Sequence, residues 1–189
     1  HTCASWLLRC SCFNLEKYLT TDFARRFGRA EEDLFINGNG TTEPTGILSV
    51  SESINAMATN TLSYDEIVEL YFSIEAEYRK DAVFIMNDET AFYLRTLKDD
   101  GGNHLWNSNN DTIFGKEVIT SPYMPSIESG IQPIIFGDLS FYWVIERKPL
   151  AIQVLSELYK NQGQVGFIGY ERVDGKLIIP EAVKTIKMA

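Results

Sequence analysis

Residues 155–187 read LSELYKNQGQVGFIGYERVDGKLIIPEAVKTIK, and this stretch decides the fold class. Two runs with β-branched and aromatic residues, 165–173 and 176–179, flank the pair Asp174-Gly175. An Asp-Gly pair in this position favours a type I′ turn, because both central residues of that turn take positive φ. The stretch therefore predicts an antiparallel hairpin, with a last strand at 182–186. It offers no nucleophile, metal cluster or phosphate-binding loop, which indicates a structural role.

A second run, DLFINGNGTTEPTGIL at residues 33–48, marks the end of a long helix. Its NGNG must form a turn, because Gly and Asn accept positive φ at low cost. Upstream, an apolar residue recurs at every fourth position in Leu15–Phe27, which predicts an apolar helix face. Asn14 is a favourable N-cap. If Gly28 does not end the helix, it continues to Phe35 over about 22 residues, or roughly 33 Å, and forms a spine.

The middle of the chain alternates helix and strand signals. Ser63 and Glu66 form a capping box that begins a second helix. The apolar run at 82–86 is short enough for a buried strand, and Asn87 can cap a third helix over 88–98. This passage predicts helices packed against a sheet.

The remaining segments are less regular. Residues 49–62 are small and polar, which predicts a linker or surface loop. Residues 105–131 carry one strand signal, at 117–120. Further strands are expected at 133–136, 141–146 and 150–155.

Composition and charge exclude several classes of function. The 189 residues carry 26 acidic and 17 basic side chains, for a net charge of −9. Tight nucleic-acid binding needs a basic surface that displaces counterions, so this charge argues against it. No apolar run approaches the ~20 residues of a membrane span, and we expect no membrane segment.

Residues 1–13, HTCASWLLRCSCF, form an atypical tail. The run lacks an initiator Met and the pattern of a signal peptide, which indicates a fragment or an altered start. All three cysteines of the chain, Cys3, Cys10 and Cys12, lie here. We interpret them as incidental thiols, with a zinc or disulfide role as the alternative. The absence of cysteine elsewhere is typical of a reducing cytosol.

Each isolated reactive group has a commoner structural explanation. His104 follows a glycine-rich loop and is expected in solvent. Ser140 lacks the glycines of a nucleophile elbow, and Asp99-Asp100 lacks the alternation of a calcium loop. Gly38-Asn39-Gly40 lacks the third glycine of a dinucleotide fingerprint and is expected to be a turn. Lys160-Asn161 could form an isopeptide bond with a partner, but a solvated loop is the default.

One pair of carboxylates keeps an enzyme open as an alternative. Glu146 and Glu171 could act as the acid and base of a hydrolase. That hypothesis requires the two side chains to converge in one pocket. Each precedes an arginine, and surface ion pairing is the commoner use of such residues. We therefore predict no catalytic, cofactor-binding or metal-binding residue.

Three blocks of the sequence resemble the major capsid proteins of tailed bacteriophages, the phage capsid family with the Hong Kong phage fold. The first is NLEKYLTTDFARRFGRAEEDLFINGNGTTEPTGIL. The second is AVFIMNDETAFYLRTLKDDGGNHLW, followed by IFGKEVITSPYMP and IIFGDLSFYWVIER. The third contains YERVDGKLIIPEAVKTIK, the most specific piece. Together they cover residues 14–189 in order.

The resemblance implies an α+β fold with a long spine helix, a mixed axial domain and an antiparallel peripheral sheet. It places residues 14–60 and 149–189 in the peripheral domain. Residues 61–148 would form the axial domain, which meets its copies around five- and six-fold axes. Residues 1–13 match neither the N-terminal arm nor the extended loop of the family, so we expect both to be missing from this chain.

The implied function is that of a structural subunit, not an enzyme. Such subunits self-associate into pentamers and hexamers of an icosahedral shell enclosing DNA, in the virion, after assembly in the bacterial cytoplasm. The implied partners are copies of the chain, a scaffold, a prohead protease and a portal, without cofactor, metal, membrane or tight nucleic-acid binding. The alternatives are an encapsulin-like compartment shell and the carboxylate hydrolase. Interface anchors are expected among Trp106, Tyr123, Phe141 and Trp143, with core burial favoured for the last two.

Overall fold

The computed structural model describes residues 2–4, 15–98, 102, 104, 106–107 and 111–189. The predictions at Cys10, Cys12, Asn14 and Asp99-Asp100 lie outside these residues. The helices are α1 Leu15–Asn37, α2 Ile47–Val50, α3 Tyr64–Ser73, α4 Ala76–Arg79 and α5 Asp88–Thr96. The strands are β1 Thr2–Ala4, β2 Glu52–Asn55, β3 Val83–Met86, β4 Trp106–Asn107, β5 Thr112–Ile113, β6 Lys116–Thr120, β7 Ile134–Gly137, β8 Tyr142–Leu155, β9 Gln164–Leu177 and β10 Val183–Lys187.

The chain divides into two compact units. One comprises His1–Asp33 with Val144–Asp174, and the other comprises Leu34–Trp143 with Gly175–Ala189. The peripheral and axial domains are defined by their positions in a shell, and their boundaries stay a prediction.

The first unit consists of a β-ribbon and most of helix α1. Its strand order is β1-β9-β8, with β1 antiparallel to β9 through the pair Thr2↔Gly166. Phe23 and Phe27 of α1 lie over Gly169 of β9, where an added Cβ atom would lie 2.8 Å from the Phe27 ring and 3.0 Å from the Phe23 ring. Glycine at this position lets the helix approach the ribbon closely. The 23 residues of α1 confirm the predicted spine helix.

The hairpin predicted at Asp174-Gly175 is wrong. β9 passes through both residues without a break, and neither has the positive φ of a type I′ turn. A Cβ atom at Gly175 would lie 2.4 Å from the Tyr142 hydroxyl oxygen, so this glycine permits a close side-chain approach. A glycine with positive φ lies at the start of β9 instead, at Gly163, whose φ is 65°.

The second unit is built on a seven-stranded mixed sheet with the order β2-β10-β7-β3-β6-β5-β4. β3 is parallel to β6 and β10 to β2, whereas the other neighbours are antiparallel. Side chains of successive residues alternate between the two faces. Phe84 and Phe136 pack on one face with residues of α3 and α5. Ile85 and Ile135 pack on the other face with Ile36 of α1. Both faces are covered, which explains the continuous apolar run of β3.

Two segments predicted to be irregular contain strands. Residues 49–62 include β2, which pairs with β10 through Glu52↔Lys184, 132 positions away. Residues 105–131 contain β4, β5 and β6 rather than one strand. β4 and β5 have two residues each, too few for a periodic pattern. Tertiary pairing therefore decides these strands.

The two predicted helix caps that lie among the described residues are confirmed. Ser63 and Glu66 exchange hydrogen bonds in a complete capping box at the start of α3. The Asn87 side chain accepts a hydrogen bond from the Thr90 N–H at 2.7 Å at the start of α5. Within the described ranges, no helix combines the length and apolarity that crossing a bilayer requires.

Candidate functional site

Strand β8 is an edge strand with exposed apolar side chains. It ends the order β1-β9-β8, so one row of its backbone groups faces no strand of this sheet. The consecutive residues Val144 and Ile145 are 50% and 63% exposed, and Val154 is 56% exposed near the other end. Because neighbouring residues of a strand point to opposite faces, both faces of β8 are open at Val144 and Ile145. An exposed apolar edge strand is a surface suited to binding another polypeptide.

The face of the ribbon away from α1 is also apolar. Gly169 lies under the helix, so its neighbours Ile168 and Tyr170 point to the opposite face, and both are exposed. The Lys148 ammonium nitrogen lies 4.2 Å from the centre of the Tyr170 ring. This cation–π contact joins β8 to β9. The ribbon thus presents apolar groups with a basic residue among them.

On helix α1, the buried carboxylate of Asp22 forms ion pairs with Arg25 and Arg26. Asp22 is 6% exposed, and its carboxylate oxygens lie 3.0 Å from Arg25 Nη2 and 2.8 Å from Arg26 Nε. Hydrogen bonds from the Arg25 and then the Arg26 guanidinium lower the pKa of Asp22 below its ordinary value. The side chains of both arginines stay largely exposed. The helix therefore presents fixed positive charge to its surroundings.

Two other carboxylates, those of Glu31 and Glu146, influence the titration of Glu171 on β9. Burial raises the pKa of Glu171, and the charges of Glu31 and Glu146 and a hydrogen bond to Glu31 raise it further. The predicted pair Glu146 and Glu171 is thus brought within electrostatic range, but together with Glu31, which sequence reasoning did not include. Two cavities outlined in the described part of the chain are lined by other residues. The pocket that a hydrolase requires is not formed by either of them.

The raised pKa of Glu171 has a consequence for stability. A carboxyl group whose folded pKa exceeds its ordinary 4.5 binds protons more readily in the folded chain. The stabilising contribution of Glu171 to the free energy of unfolding is therefore fully present below pH 4.5, and it is lost as the pH rises through the pKa of the folded chain. Glutamine imitates the protonated form, so Glu171→Gln should raise the free energy of unfolding at neutral pH and change it little below pH 4.5.

Urea denaturation across pH measures this difference. Glu43→Gln, at an exposed loop position, is the matched control. An equal gain for Glu171→Gln at acidic and neutral pH would contradict the assignment of the shift to charge and burial.

The second unit carries a surface groove of 390 Å³ between α5 and strands β4–β6. Within it, Asp111 pairs with Arg95 and accepts a hydrogen bond from Trp106 Nε1 at 3.0 Å. The Arg95 guanidinium carbon lies 4.7 Å from the centre of a Trp106 ring. Asp111 takes a φ of 53°, a left-handed conformation that is uncommon for a residue other than glycine. These contacts bury Trp106, which removes it from the predicted interface anchors.

Two of the other three predicted anchors, Tyr123 and Phe141, are half-buried. Trp143, for which core burial was favoured, is 60% exposed. It belongs to an edge strand, where local apolarity does not imply a covering layer.

The remaining predicted groups occupy structural positions. His104 is exposed, and its Nδ1 lies 3.1 Å from the Arg95 carbonyl oxygen. Asn39 forms the predicted turn by accepting hydrogen bonds from the backbone of the following threonines.

The backbone N–H of Ser140 donates to Asp138, and Lys160 pairs with Glu157 at 3.4 Å. No group of three potential metal ligands occurs among the described residues.

The chain resembles known proteins over its whole described length. The model of the phage capsid family matches residues 4–188. The capsid of an empty GTA particle, computed with C5 symmetry, has a TM-score of 0.89 and 29% identity, covering 100% of this chain and 71% of that chain. For the capsid of the native GTA particle, computed with C5 symmetry, the TM-score is 0.88 and the identity is 30%. The match covers 100% of this chain and 70% of that chain.

A structure from Microbacterium phage Oxtober96 shares the fold, with a TM-score of 0.74 and 14% identity, covering 100% of this chain and 70% of that chain. The predicted α+β capsid fold is confirmed by these structures. No curated protein matches the chain.

Proposed function

The chain belongs to the phage capsid family, and we propose that it is a structural subunit that associates with copies of itself into pentamers and hexamers. These build an icosahedral shell enclosing DNA. The observation that carries the proposal is the exposed apolar ribbon, because a subunit that works through contacts needs uncovered surface on its isolated chain. The C5 symmetry of the two GTA capsids supports five-fold association of related chains.

The two compact units supply the domain boundaries of the proposal. The unit of α1 and the ribbon is the peripheral domain, and the unit of the seven-stranded sheet is the axial domain. Relative to the boundaries predicted from the resemblance, residues 34–60 and 175–189 then move from the peripheral to the axial domain, and residues 144–148 move from the axial to the peripheral domain. The parallel pairing of β2 with β10 supports this shift, since it holds both segments in one sheet.

The role is architectural, and the family and fold are those of structural proteins. Within the proposal the chain is not an enzyme and needs no cofactor or metal. It is a component of the virion capsid, assembled in the cytoplasm of the bacterial host. A scaffold, a prohead protease and a portal are further partners, proposed from the resemblance. The net charge of −9 supports weak rather than tight contact with the packaged DNA.

Two alternatives remain distinguishable by experiment. An encapsulin-like compartment has the same fold but forms small cages without DNA, which electron microscopy of the assembled product separates from DNA-filled heads. The hydrolase is disfavoured because neither cavity outlined in the described part of the chain is lined by Glu146 or Glu171. Family membership disfavours both.

Charged substitutions on the ribbon test the proposal. Ile145→Asp and Val154→Asp place a carboxylate on exposed apolar positions of β8, so folding should be nearly unchanged, within about 0.5 kcal/mol. Assembly should fail, because a desolvated unpaired charge at an interface is costly. Gln153→Asp, at an exposed polar position of the same strand, is the matched control and should assemble more efficiently.

Sedimentation and electron microscopy measure assembly, and circular dichroism checks the fold. Folded Ile145→Asp and Val154→Asp variants that assemble as efficiently as the unmodified chain would contradict the role of the ribbon.

A further inference from the structure

The four methionines of the chain differ sharply in their access to solvent, and all four lie among the described residues. Met57, in the loop between β2 and α3, is 95% exposed. Met86, Met124 and Met188 are 0%, 3% and 2% exposed. A reagent dissolved in water can therefore reach one thioether group of the folded chain without any movement of the fold.

The loop that carries Met57 is anchored on both sides. The backbone N–H of Ala56 donates to the Lys187 carbonyl oxygen at 2.8 Å, which ties the loop to strand β10. The backbone N–H of Met57 itself donates to Glu66 Oε1 at 2.8 Å. Glu66 belongs to the capping box of α3, so the same side chain fixes the helix start and the loop. The exposure of Met57 is thus a property of the fold.

The other three methionines are enclosed by the two faces of the seven-stranded sheet. Met86 lies on β3, the central strand, and packs with Met188 in the core that faces α3 and α5. The backbone N–H of Met188 donates to the Ile131 carbonyl oxygen at 2.8 Å, which holds this residue in place. Met124 packs in the core of the opposite face. A reagent reaches these three only when the fold opens, and the opening equilibrium slows their reaction.

We propose that Met57 is the methionine that hydroperoxides oxidise in the folded chain. The sulfur attacks one oxygen of the peroxide, so that a sulfur–oxygen bond forms while the oxygen–oxygen bond breaks. The proton on the transferred oxygen passes to the departing hydroxide, which leaves as water. The sulfur loses two electrons and becomes a sulfoxide, and hydrogen peroxide is reduced to water. This inference is independent of the proposed self-association.

The modification changes the surface and spares the core. Methionine sulfoxide is polar and chiral, whereas the thioether is flexible and apolar. At Met57 the new oxygen lies in water, where it finds hydrogen-bond partners at no cost to the fold. At Met86 the same oxygen would be buried without a partner, which is unfavourable. Oxidation of the folded chain therefore alters its surface chemistry without unfolding it.

Hydrogen peroxide treatment of the folded chain, followed by digestion and mass spectrometry, tests the proposal. Reading each peptide separately distinguishes the methionines from Cys3, Cys10 and Cys12, since cysteine also reacts with peroxide. The peptide that contains Met57 should gain one oxygen at least about tenfold faster than the peptides of the other three methionines. In concentrated urea the four rates should converge, because the fold then protects none of them.

Two variants and a reversal serve as controls. Met57→Leu, which roughly conserves volume and apolarity, should lose the fast reaction, whereas the matched variant Met188→Leu should keep it. Methionine sulfoxide reductases should remove the added oxygen. The oxidised chain should keep the urea midpoint of the unmodified chain, since the sulfur of Met57 lies outside the core.

Three results would overturn the proposal. The first is a Met57 peptide that reacts no faster in the folded chain than the peptides of Met86, Met124 and Met188. The second is a fast methionine reaction that persists in Met57→Leu. The third is a lower urea midpoint after selective oxidation of Met57, which would show that its sulfur contacts the fold. None of these results bears on the association of the chain with its copies.

Discussion

The Gly46→Ala variant is expected to lose about 3 kcal/mol of its free energy of unfolding. A Cβ atom at Gly46 would lie 2.5 Å from the Gly38 nitrogen and 2.6 Å from the Ile36 carbonyl oxygen. The backbone N–H of Gly46 donates to the Gly38 carbonyl at 2.9 Å, so the two chain segments are bound at this point. Backbone atoms cannot rotate away as a side chain can, and Ile36 and Ile47 on either side are buried. The loop must therefore open or the core must shift.

Gly28→Ala is the control for this prediction. Gly28 lies inside α1, and an added Cβ atom would have nothing within 4 Å. This substitution should stabilise the chain by about 0.5–1 kcal/mol, because alanine loses less backbone freedom in a helix than glycine. Urea denaturation of both variants measures the contrast. Two variants of equal stability would contradict the close approach at Gly46.

The Phe136→Ala variant is expected to lose about 4 kcal/mol of its free energy of unfolding, the usual cost of removing a buried aromatic ring. Phe136 is fully buried on β7, between β10 and β3. Its ring stacks on Phe84 with centroids 4.3 Å apart and lies 5.5 Å from the Tyr71 ring of α3. Alanine leaves a cavity at the point where the sheet meets that helix.

Phe92→Ala, at an exposed position of α5, is the matched control and should change stability by no more than about 0.5 kcal/mol. Chemical denaturation gives the free energies, and near-ultraviolet circular dichroism reports the aromatic packing. A loss below about 1 kcal/mol for Phe136→Ala would mean that the cavity closes by rearrangement of its neighbours.

These stability effects differ in kind from those at the charged surfaces. Glu171→Gln is expected to stabilise the isolated subunit at neutral pH, because it removes a charge that burial and the neighbouring carboxylates disfavour. Residues that serve assembly are often unfavourable in the free subunit. The exposed apolar groups of β8 follow the same logic, since they are uncovered until a partner arrives.

Sequence reasoning succeeded where the signal is local. Helix α1 follows from the four-residue spacing of its apolar side chains, and the caps at Ser63 and Asn87 follow from hydrogen bonds within three residues. The buried strand β3 follows from a continuous apolar run. The sequence-based prediction failed at Asp174-Gly175. An Asp-Gly pair permits a turn but does not require one, and here strand β9 continues through both residues.

The candidate site could be predicted only in part. Glu146 and Glu171 were recognised as a pair, but Glu31 lies far from both in sequence and joins them only because α1 packs against β9. The arginines of α1 were visible as residues. The position of Arg25 and Arg29 opposite the ribbon follows from the packing of Phe23 and Phe27 on Gly169.

The amino-acid sequence alone determined the long helix, the central apolar strand and the helix caps, because these rest on spacing and on hydrogen bonds between near neighbours. The family followed from the resemblance of three sequence blocks, and the family model confirms it. Tertiary structure alone decided the continuous course of β9, the short strands β2, β4 and β5, the influence of Glu31 on Glu171 and the exposure of β8. Each of these depends on which distant segment lies alongside, and that is set by the packing of the whole chain.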